Sequence, residues 1–173
     1  MVTQQLLKEL FNYNPDTGQF IRLKTLSRRT KVGEVAGTTD THGYVVITLC
    51  GKKYKSHRLA FLYMTGSIPE GEIDHINNDR ADNSWKNLRH ASSGQNRCNS
   101  PAKKRKSSKY KGVYLIKRSG RWGVKICKDY EKVFVGSYTS ETAAAKAYNN
   151  KAKELFGEYA WLNHIDHEKV SVK

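Results

Sequence analysis

The chain has 173 residues, enough for one ordinary domain or two small ones. It carries 31 Lys and Arg against 16 Asp and Glu, a formal net charge of +15 that suits a polyanionic partner. A membrane surface is the competing polyanion. Because no apolar run is long enough to span a bilayer and the N-terminus lacks a secretory signal, we expect a cytoplasmic protein with no membrane partner.

The cysteines indicate the redox environment of the protein, and the distribution of charge indicates which part of the chain is most basic. Cys50, Cys98 and Cys127 are widely spaced and form no C-x-x-C pair, which predicts reduced thiols in a cytosol. Residues 1–100 have a net charge of +5 and residues 101–173 have +10. The shorter C-terminal part is therefore the more basic one.

The N-terminal region is predicted to be a mixture of short helices and strands. Leucines at helical spacing behind Thr3 predict a helix over 3–11, and NPDTG that follows predicts a turn. Strands are expected at 20–21, 34–37 and 44–49, with a turn at Gly51-Lys52 leading into 53–57. Five cations of this region are either phosphate contacts or solvated loop charge: Arg28, Arg29, Lys52, Lys53 and Lys55.

A second helix is predicted over 57–65, because Leu59, Leu62 and Tyr63 share a face and Gly66 follows. His57 at its start has two interpretations. It either caps the helix or bonds a core carbonyl, or it takes a direct part in catalysis.

The stretch 72–99, EIDHINNDRADNSWKNLRHASSGQNRCN, holds the densest chemistry in the chain. Asp74 and His75 end a short extended run, and turn formers separate them from a second extended piece containing Asn87. Ser92 is a suitable N-cap for a helix that carries Asn96 near its start.

Carboxylate and amide oxygens suit Mg²⁺ or Mn²⁺ and fit zinc poorly. A neutral imidazole beside such an ion can take a proton from water that attacks a phosphodiester. The competing interpretation is a surface turn, in which Asp and Asn side chains bond the backbone instead of a metal.

At these spacings the four positions resemble the HNH endonuclease motif, specifically the phage and intron-encoded homing type with its ββα-metal fold, over residues 6–99. The resemblance implies that Asp74 and Asn96 hold one divalent cation, that His75 is the general base, and that Asn87 orients His75. Asn96 stands where many members have histidine, which leaves the choice of metal open. His90 is a second, lower-ranked candidate ligand.

The segment after Asn99, SPAKKRKSSK, contains nothing larger than Ala102 from which to build a core. It is predicted to be a basic linker over 100–109. Its cations are expected to bind DNA: Lys103, Lys104, Arg105 and Lys106.

Residues 110–163 predict a three-stranded antiparallel sheet packed on one helix. YKGVYLI, GRWGVKIC and KVFVGSY are the strands, and Ser140 caps the helix that ends at Gly157. The predicted helix face against the sheet consists of Ala144, Ala147, Tyr148, Lys151 and Leu155. The other side of the sheet is left for a partner.

These phrases, with the closing WLN, resemble the AP2/ERF DNA-binding domain, which docks its sheet in the major groove. Carried over by position, the residues that face DNA are Lys111, Tyr114, Arg121, Lys125, Lys132 and Phe134. Tyr114 and Cys127 stand where the plant pattern has arginine, so the plant target sequence is not carried over.

We therefore expect an α+β protein: a nuclease domain over 1–99 with its motif at 72–99, the linker, an AP2/ERF-like domain over 110–165 and a tail over 166–173. The expected function is site-specific cleavage of duplex DNA with Mg²⁺ or Mn²⁺, the protein acting as a monomer on DNA. The alternatives are a non-catalytic DNA-binding regulator and, ranked last, an RNA binder or RNA nuclease.

Overall fold

The computed structural model describes residues 2–101, 107–128 and 131–165, and internal contacts divide the chain into two units, Met1–Asn96 and Arg97–Lys173. The predicted α+β class is confirmed, because short helices alternate with four small antiparallel sheets. The predicted linker cations, Lys103, Lys104, Arg105 and Lys106, and the predicted tail over 166–173 lie outside the described residues.

The first unit begins with helix α1, Gln4–Leu10, whose N-cap Thr3 accepts a hydrogen bond from the Leu6 amide. The strands β1, Phe11–Asn14, and β2, Gln19–Arg22, then form an antiparallel hairpin around the predicted NPDTG turn. Strand β1 was not predicted, because it follows the helix with no intervening turn residue.

A three-stranded sheet follows, formed by β3, Thr38–Thr39, β4, Val45–Leu49, and β5, Lys52–Lys55. The β4–β5 turn passes through Cys50 and Gly51, both with positive φ, one residue earlier than predicted. The strand predicted at 34–37 is wrong: Val35 makes an isolated bridge to Ile21, between two glycines with positive φ.

Helix α2, Ser56–Thr65, begins directly after β5 and ends at Gly66 in the left-handed conformation, as predicted. Its buried side chains join a core that α1, β1, β2 and β4 also supply: Leu7, Phe11, Phe20, Ile47, Leu49 and Leu59. Burying each large side chain stabilises the unit by about 1.5–3 kcal/mol. This core fixes the start of α2, and with it His57.

The second unit has strands β8, Val113–Ile116, β9, Arg121–Lys128, and β10, Glu131–Tyr138, in the order β10-β9-β8, with helix α4, Glu141–Phe156, on one face. The predicted helix face requires a correction. Its fully buried residues are Ala144, Ala145, Tyr148 and Ala152, whereas Ala147, Lys151 and Leu155 are half-buried. The alanines bring α4 close to the sheet, and the Tyr148 ring lies against Gly112.

Candidate active site

The segment 72–98 folds as two strands followed by a helix. Strand β6, Glu72–His75, pairs antiparallel with β7, Leu88–Ala91, and helix α3, Ser93–Cys98, follows. Ser92 and Gln95 exchange hydrogen bonds between side chain and backbone, which fixes the start of α3 as a capping box. The predicted Ser92 cap is confirmed, and it places Asn96 within the helix.

The carboxylate of Asp74 is buried and paired across the hairpin with Arg89. The Arg89 Nε and Nη2 atoms donate to Asp74 Oδ2 at 2.9 and 2.7 Å, and the two residues are direct partners in the strand register. A buried carboxylate needs such a partner, because desolvation of an uncompensated charge is costly. Asp74 is thus held with its oxygens at a fixed place on β6.

Glu72 lies two residues before Asp74 and so shares its side of β6. The Glu72 carboxylate accepts hydrogen bonds from the Ser93 hydroxyl and the Asn96 amide of α3. The sequence reasoning missed Glu72, although strand alternation from Asp74 could have found it.

These oxygen donors fit a hard divalent cation. The side chains of Glu72, Asp74 and Asn96 supply carboxylate and amide oxygens, and Mg²⁺ typically takes few protein ligands and keeps several waters. Among the residues that the structure describes, no group of three or more His, Cys, Asp or Glu side chains is arranged to hold a metal ion.

His75 is buried at the end of β6, with 5% of its surface exposed. Its Nε2 lies 3.2 Å from Asn83 Oδ1, and the His57 ring meets it edge-on at a centroid distance of 5.0 Å. Burial lowers the pKa of His75, while the Asn83 hydrogen bond and the Asp74 carboxylate act in the opposite direction. The net effect lowers the pKa of His75, which favours the neutral imidazole.

Asn87, which was predicted to orient His75, ends the short 3₁₀ turn Trp85–Asn87 just before β7. Its side chain accepts from the Asn77 amide and donates to Asn77 Oδ1 and to the Asp82 carbonyl. These hydrogen bonds brace the loop between β6 and β7, and Asn83 of the same loop lies within hydrogen-bond distance of His75.

Two cations flank a tyrosine beside the histidines. The Tyr44 ring lies 6.1 Å from the His75 ring, with Lys55 Nζ at 3.8 Å and the Arg80 guanidinium at 4.8 Å from its centroid. Arg80 also donates to the His42 carbonyl at 2.9 Å. Lys55 was among the predicted phosphate contacts, whereas Arg80 was missed because its partners are distant in sequence.

The two other histidines singled out from sequence occupy different settings. His57 is buried in the first turn of α2, and its Nδ1 has no hydrogen-bond partner among the described residues. Desolvation, with the nearby His75 and Lys55, lowers the pKa of His57 to about 3. His90 is exposed on β7, and its ring lies against Gly71. Of the remaining predicted cations in this unit, four are exposed: Arg28, Arg29, Lys52 and Lys53.

In the second unit the strand alternation puts the predicted DNA-facing residues of β9 and β10 on the side away from α4. Arg121, Lys125, Lys132 and Phe134 are exposed, and Phe134 is the register partner of Lys125. Arg121 donates to the Ser137 carbonyl. The opposite side of β9 buries Val124 and Ile126.

The two remaining residues predicted to contact DNA, Tyr114 and Lys111, make contacts within the second unit. The Tyr114 ring covers Gly123 and lies 5.0 Å below Lys125 Nζ. Lys111 directs its ammonium group to the carbonyls of Cys98 and Ser100. Lys111 is therefore less available to a phosphate than its sequence position suggests.

Comparisons with known proteins support the interpretation of the candidate active site in the first unit. Residues 54–98 match the family model described as HNH endonuclease. Over 125 residues the chain is 34% identical to an uncharacterized HNH endonuclease of Acanthamoeba polyphaga mimivirus, an alignment that covers 72% of this chain and 64% of that relative. The segment that holds the site is thus of the HNH endonuclease class, and the predicted resemblance is confirmed.

The chain is also similar to AP2/ERF domain-containing proteins, which confirms the other resemblance. It is 41% identical over 59 residues to a putative AP2/ERF and B3 domain-containing protein of Oryza sativa subsp. japonica, an alignment that covers 34% of this chain and 18% of the relative. The chain therefore spans somewhat less than two thirds of the viral relative and a small part of the plant one.

One solved structure, described as DNA binding and cleavage by the HNH homing endonuclease I-HmuI, is similar to 47% of this chain and 46% of its own, with 23% identity and a TM-score of 0.37. That likeness is too partial to carry a conclusion about this chain. No helix within residues 2–101, 107–128 and 131–165 is long and apolar enough to cross a membrane.

Proposed function

We propose that the protein is a metal-dependent endonuclease that hydrolyses phosphodiester bonds of duplex DNA. The observation that carries this proposal is a buried His75, its pKa lowered by desolvation, at the end of a strand that also bears the carboxylates of Glu72 and Asp74. The match of residues 54–98 to the HNH endonuclease model supports the same interpretation.

In the proposed reaction His75 accepts a proton from a water molecule as the water oxygen bonds to phosphorus and the bond to the leaving oxygen breaks. Asp74 and Asn96, with Glu72, would hold Mg²⁺ or Mn²⁺. When bound, the ion supplies positive charge to the phosphoryl oxygens in the transition state.

Lys55 and Arg80 are placed to bind the flanking phosphates, since both lie over the Tyr44 ring beside His75. Their loss would weaken DNA binding more than turnover, because a phosphate contact of this kind acts alike in ground and transition states. This predicts a higher KM for Lys55→Gln and Arg80→Gln.

The second unit is proposed to choose or strengthen the cleavage site. Its exposed sheet face carries Arg121, Lys125 and Lys132 around Phe134, and the chain as a whole has a net charge of +15. Cations position a protein on phosphates, while base edges in the major groove supply sequence information. A site-specific, homing-type enzyme that binds DNA as a monomer follows from combining both units.

Cleavage of phage or bacterial genomic DNA in Mg²⁺ or Mn²⁺ tests this proposal. His75→Ala and Asp74→Ala should abolish cutting while binding to DNA, measured by fluorescence anisotropy, persists. His164→Ala, which removes an exposed histidine of the second unit, is the matched control and should cut normally. Retained cleavage by both site variants would remove the mechanism.

A non-catalytic DNA-binding regulator is the second candidate, and the ion pair between Arg89 and Asp74 favours it, because the pair already satisfies the carboxylate. The same assay separates the two functions. A regulator binds DNA without cutting it in Mg²⁺, Mn²⁺, Co²⁺ or Ca²⁺.

A further inference from the structure

Asn83 is one of two polar residues in the loop between β6 and β7 that are almost fully buried, with 2% of its surface exposed. Its amide nitrogen donates to the Ala81 carbonyl at 3.0 Å. The amide oxygen is therefore the atom that faces His75 Nε2, at 3.2 Å. Because an amide oxygen only accepts hydrogen bonds, Nε2 carries the imidazole proton and the ring lone pair lies on Nδ1.

The first β-hairpin holds Asn83 in place from the far end of the sequence. The Tyr13 hydroxyl of β1 donates to the Asn83 carbonyl at 2.8 Å, in a buried bond. The amide of Trp85 donates to the Pro15 carbonyl at 2.7 Å. Both ends of the short segment 83–85 are thus anchored to the NPDTG turn and its strand.

Gly18 allows the NPDTG turn to pack directly against the backbone of Asn83 and Ser84. It has a φ of +72°, and a Cβ atom built on it would lie 2.1 Å from the Asn83 carbonyl carbon and 2.3 Å from the Ser84 nitrogen. Only glycine allows the turn to pack directly on the backbone of Asn83. The hairpin lies outside residues 54–98, the segment that matches the endonuclease model.

We propose that Asn83 is a positioning residue for His75, and that hairpin β1–β2 holds Asn83 so that the imidazole keeps its proton on Nε2 and offers Nδ1 as the base. The role of His75 as base in this inference rests on the proposed endonuclease function. The tautomer itself does not depend on that function.

The tautomer is measured by ¹⁵N NMR of the histidine side chains in the full-length protein at about pH 8, with His75 assigned from a His75→Gln sample. The wild-type ring should show a protonated Nε2 and an unprotonated Nδ1. A wild-type His75 protonated on Nδ1 overturns the proposal without any variant being made.

Two variants separate the role of Asn83 as hydrogen-bond acceptor for His75 from its hydrogen bond to the Ala81 carbonyl. Asn83→Leu and Asn83→Asp both lose the bond to the Ala81 carbonyl and keep the branched shape of asparagine, but only the aspartate variant retains an oxygen acceptor for His75. Asn83→Asp should therefore keep the Nε2–H form, and Asn83→Leu should populate both tautomers. If Asn83→Leu is folded by Trp85 fluorescence and keeps the wild-type tautomer, the proposal is wrong.

Cleavage kinetics add the functional readout. Asn83→Leu should lower kcat on the order of 10²-fold with little change in KM, the low end of what a positioned general base contributes, and Asn83→Asp should recover much of it. Equal loss in both variants would mean that Asn83 acts only through the loop, which refutes the positioning role. If the wild type cuts no DNA but shows the Nε2–H form, the proposed function fails while the positioning role stands.

Discussion

Acid should destabilise the first unit through His57, and the size of the effect can be worked from its burial. The side chain is 5% exposed, and desolvation lowers its pKa from 6.5 to about 3. Below pH 6.5 the unfolded chain binds a proton at this site that the folded chain does not bind until the pH approaches 3. The free energy of unfolding therefore falls with falling pH throughout this window.

Each pH unit well below pH 6.5 is worth about 1.4 kcal/mol, and less near pH 6.5, where the unfolded histidine is half protonated. His57 alone should therefore cost about 2 kcal/mol between pH 6.5 and 4.5. Since His57 is almost fully buried, solvent screening reduces this figure little. His75 titrates in the same direction, and a variant that removes only His57 isolates its share.

The assay is urea unfolding of wild type and His57→Leu across this pH range, in a background of Trp122→Phe and Trp161→Phe. Trp85, whose ring packs on Phe61 at 4.8 Å, then reports the first unit. The difference in unfolding free energy between the two proteins should shift by about 2 kcal/mol in favour of the leucine variant at low pH. Parallel pH profiles would refute the reasoning.

Three further perturbations have defined outcomes. Arg89→Met should lower the unfolding free energy by about 3 kcal/mol, because it removes the ion pair of the buried Asp74 carboxylate. Mg²⁺ should raise the melting temperature of this variant more than that of wild type. Equal shifts in the two proteins would count against a metal at Asp74. Gly112→Ala should destabilise the second unit by at least ~2 kcal/mol, since φ is +77° and the new Cβ would lie 2.2 Å from the Tyr148 ring; near-wild-type melting would contradict this. Lys132→Gln should reduce the slope of log K against log salt for DNA by about 0.9, and an unchanged slope would place Lys132 off the DNA.

Local chemistry made much of the fold predictable. Thr3, Ser92 and Ser140 mark helix starts through the hydrogen bonds that their side chains accept, and Gly66 and Gly157 mark helix ends. The alternation in β9 separates Lys125 from Val124 and Ile126 as the sequence pattern requires. In each of these cases the determining contact lies within a few residues of the chain, so the sequence pattern carries it.

Contacts between distant residues could not be predicted in this way. Asn83 has no distinguishing mark among the asparagines of 77–87, and its relation to His75 depends on Tyr13 and Gly18, which lie far earlier in the sequence. Nothing local in the sequence tells which amide of a turn-rich loop reaches the imidazole.

The sequence alone determined which chemical groups are present: an acid and an imidazole at the end of a strand, an amide in a capped helix, and an excess of cations. Tertiary structure decided how those groups are used. It buried His75 beside His57, which lowers the pKa of His75, paired Asp74 with Arg89, and brought the first hairpin against the loop that contacts His75. Burial and long-range hydrogen bonds set protonation and orientation, and both exist only once the chain has folded.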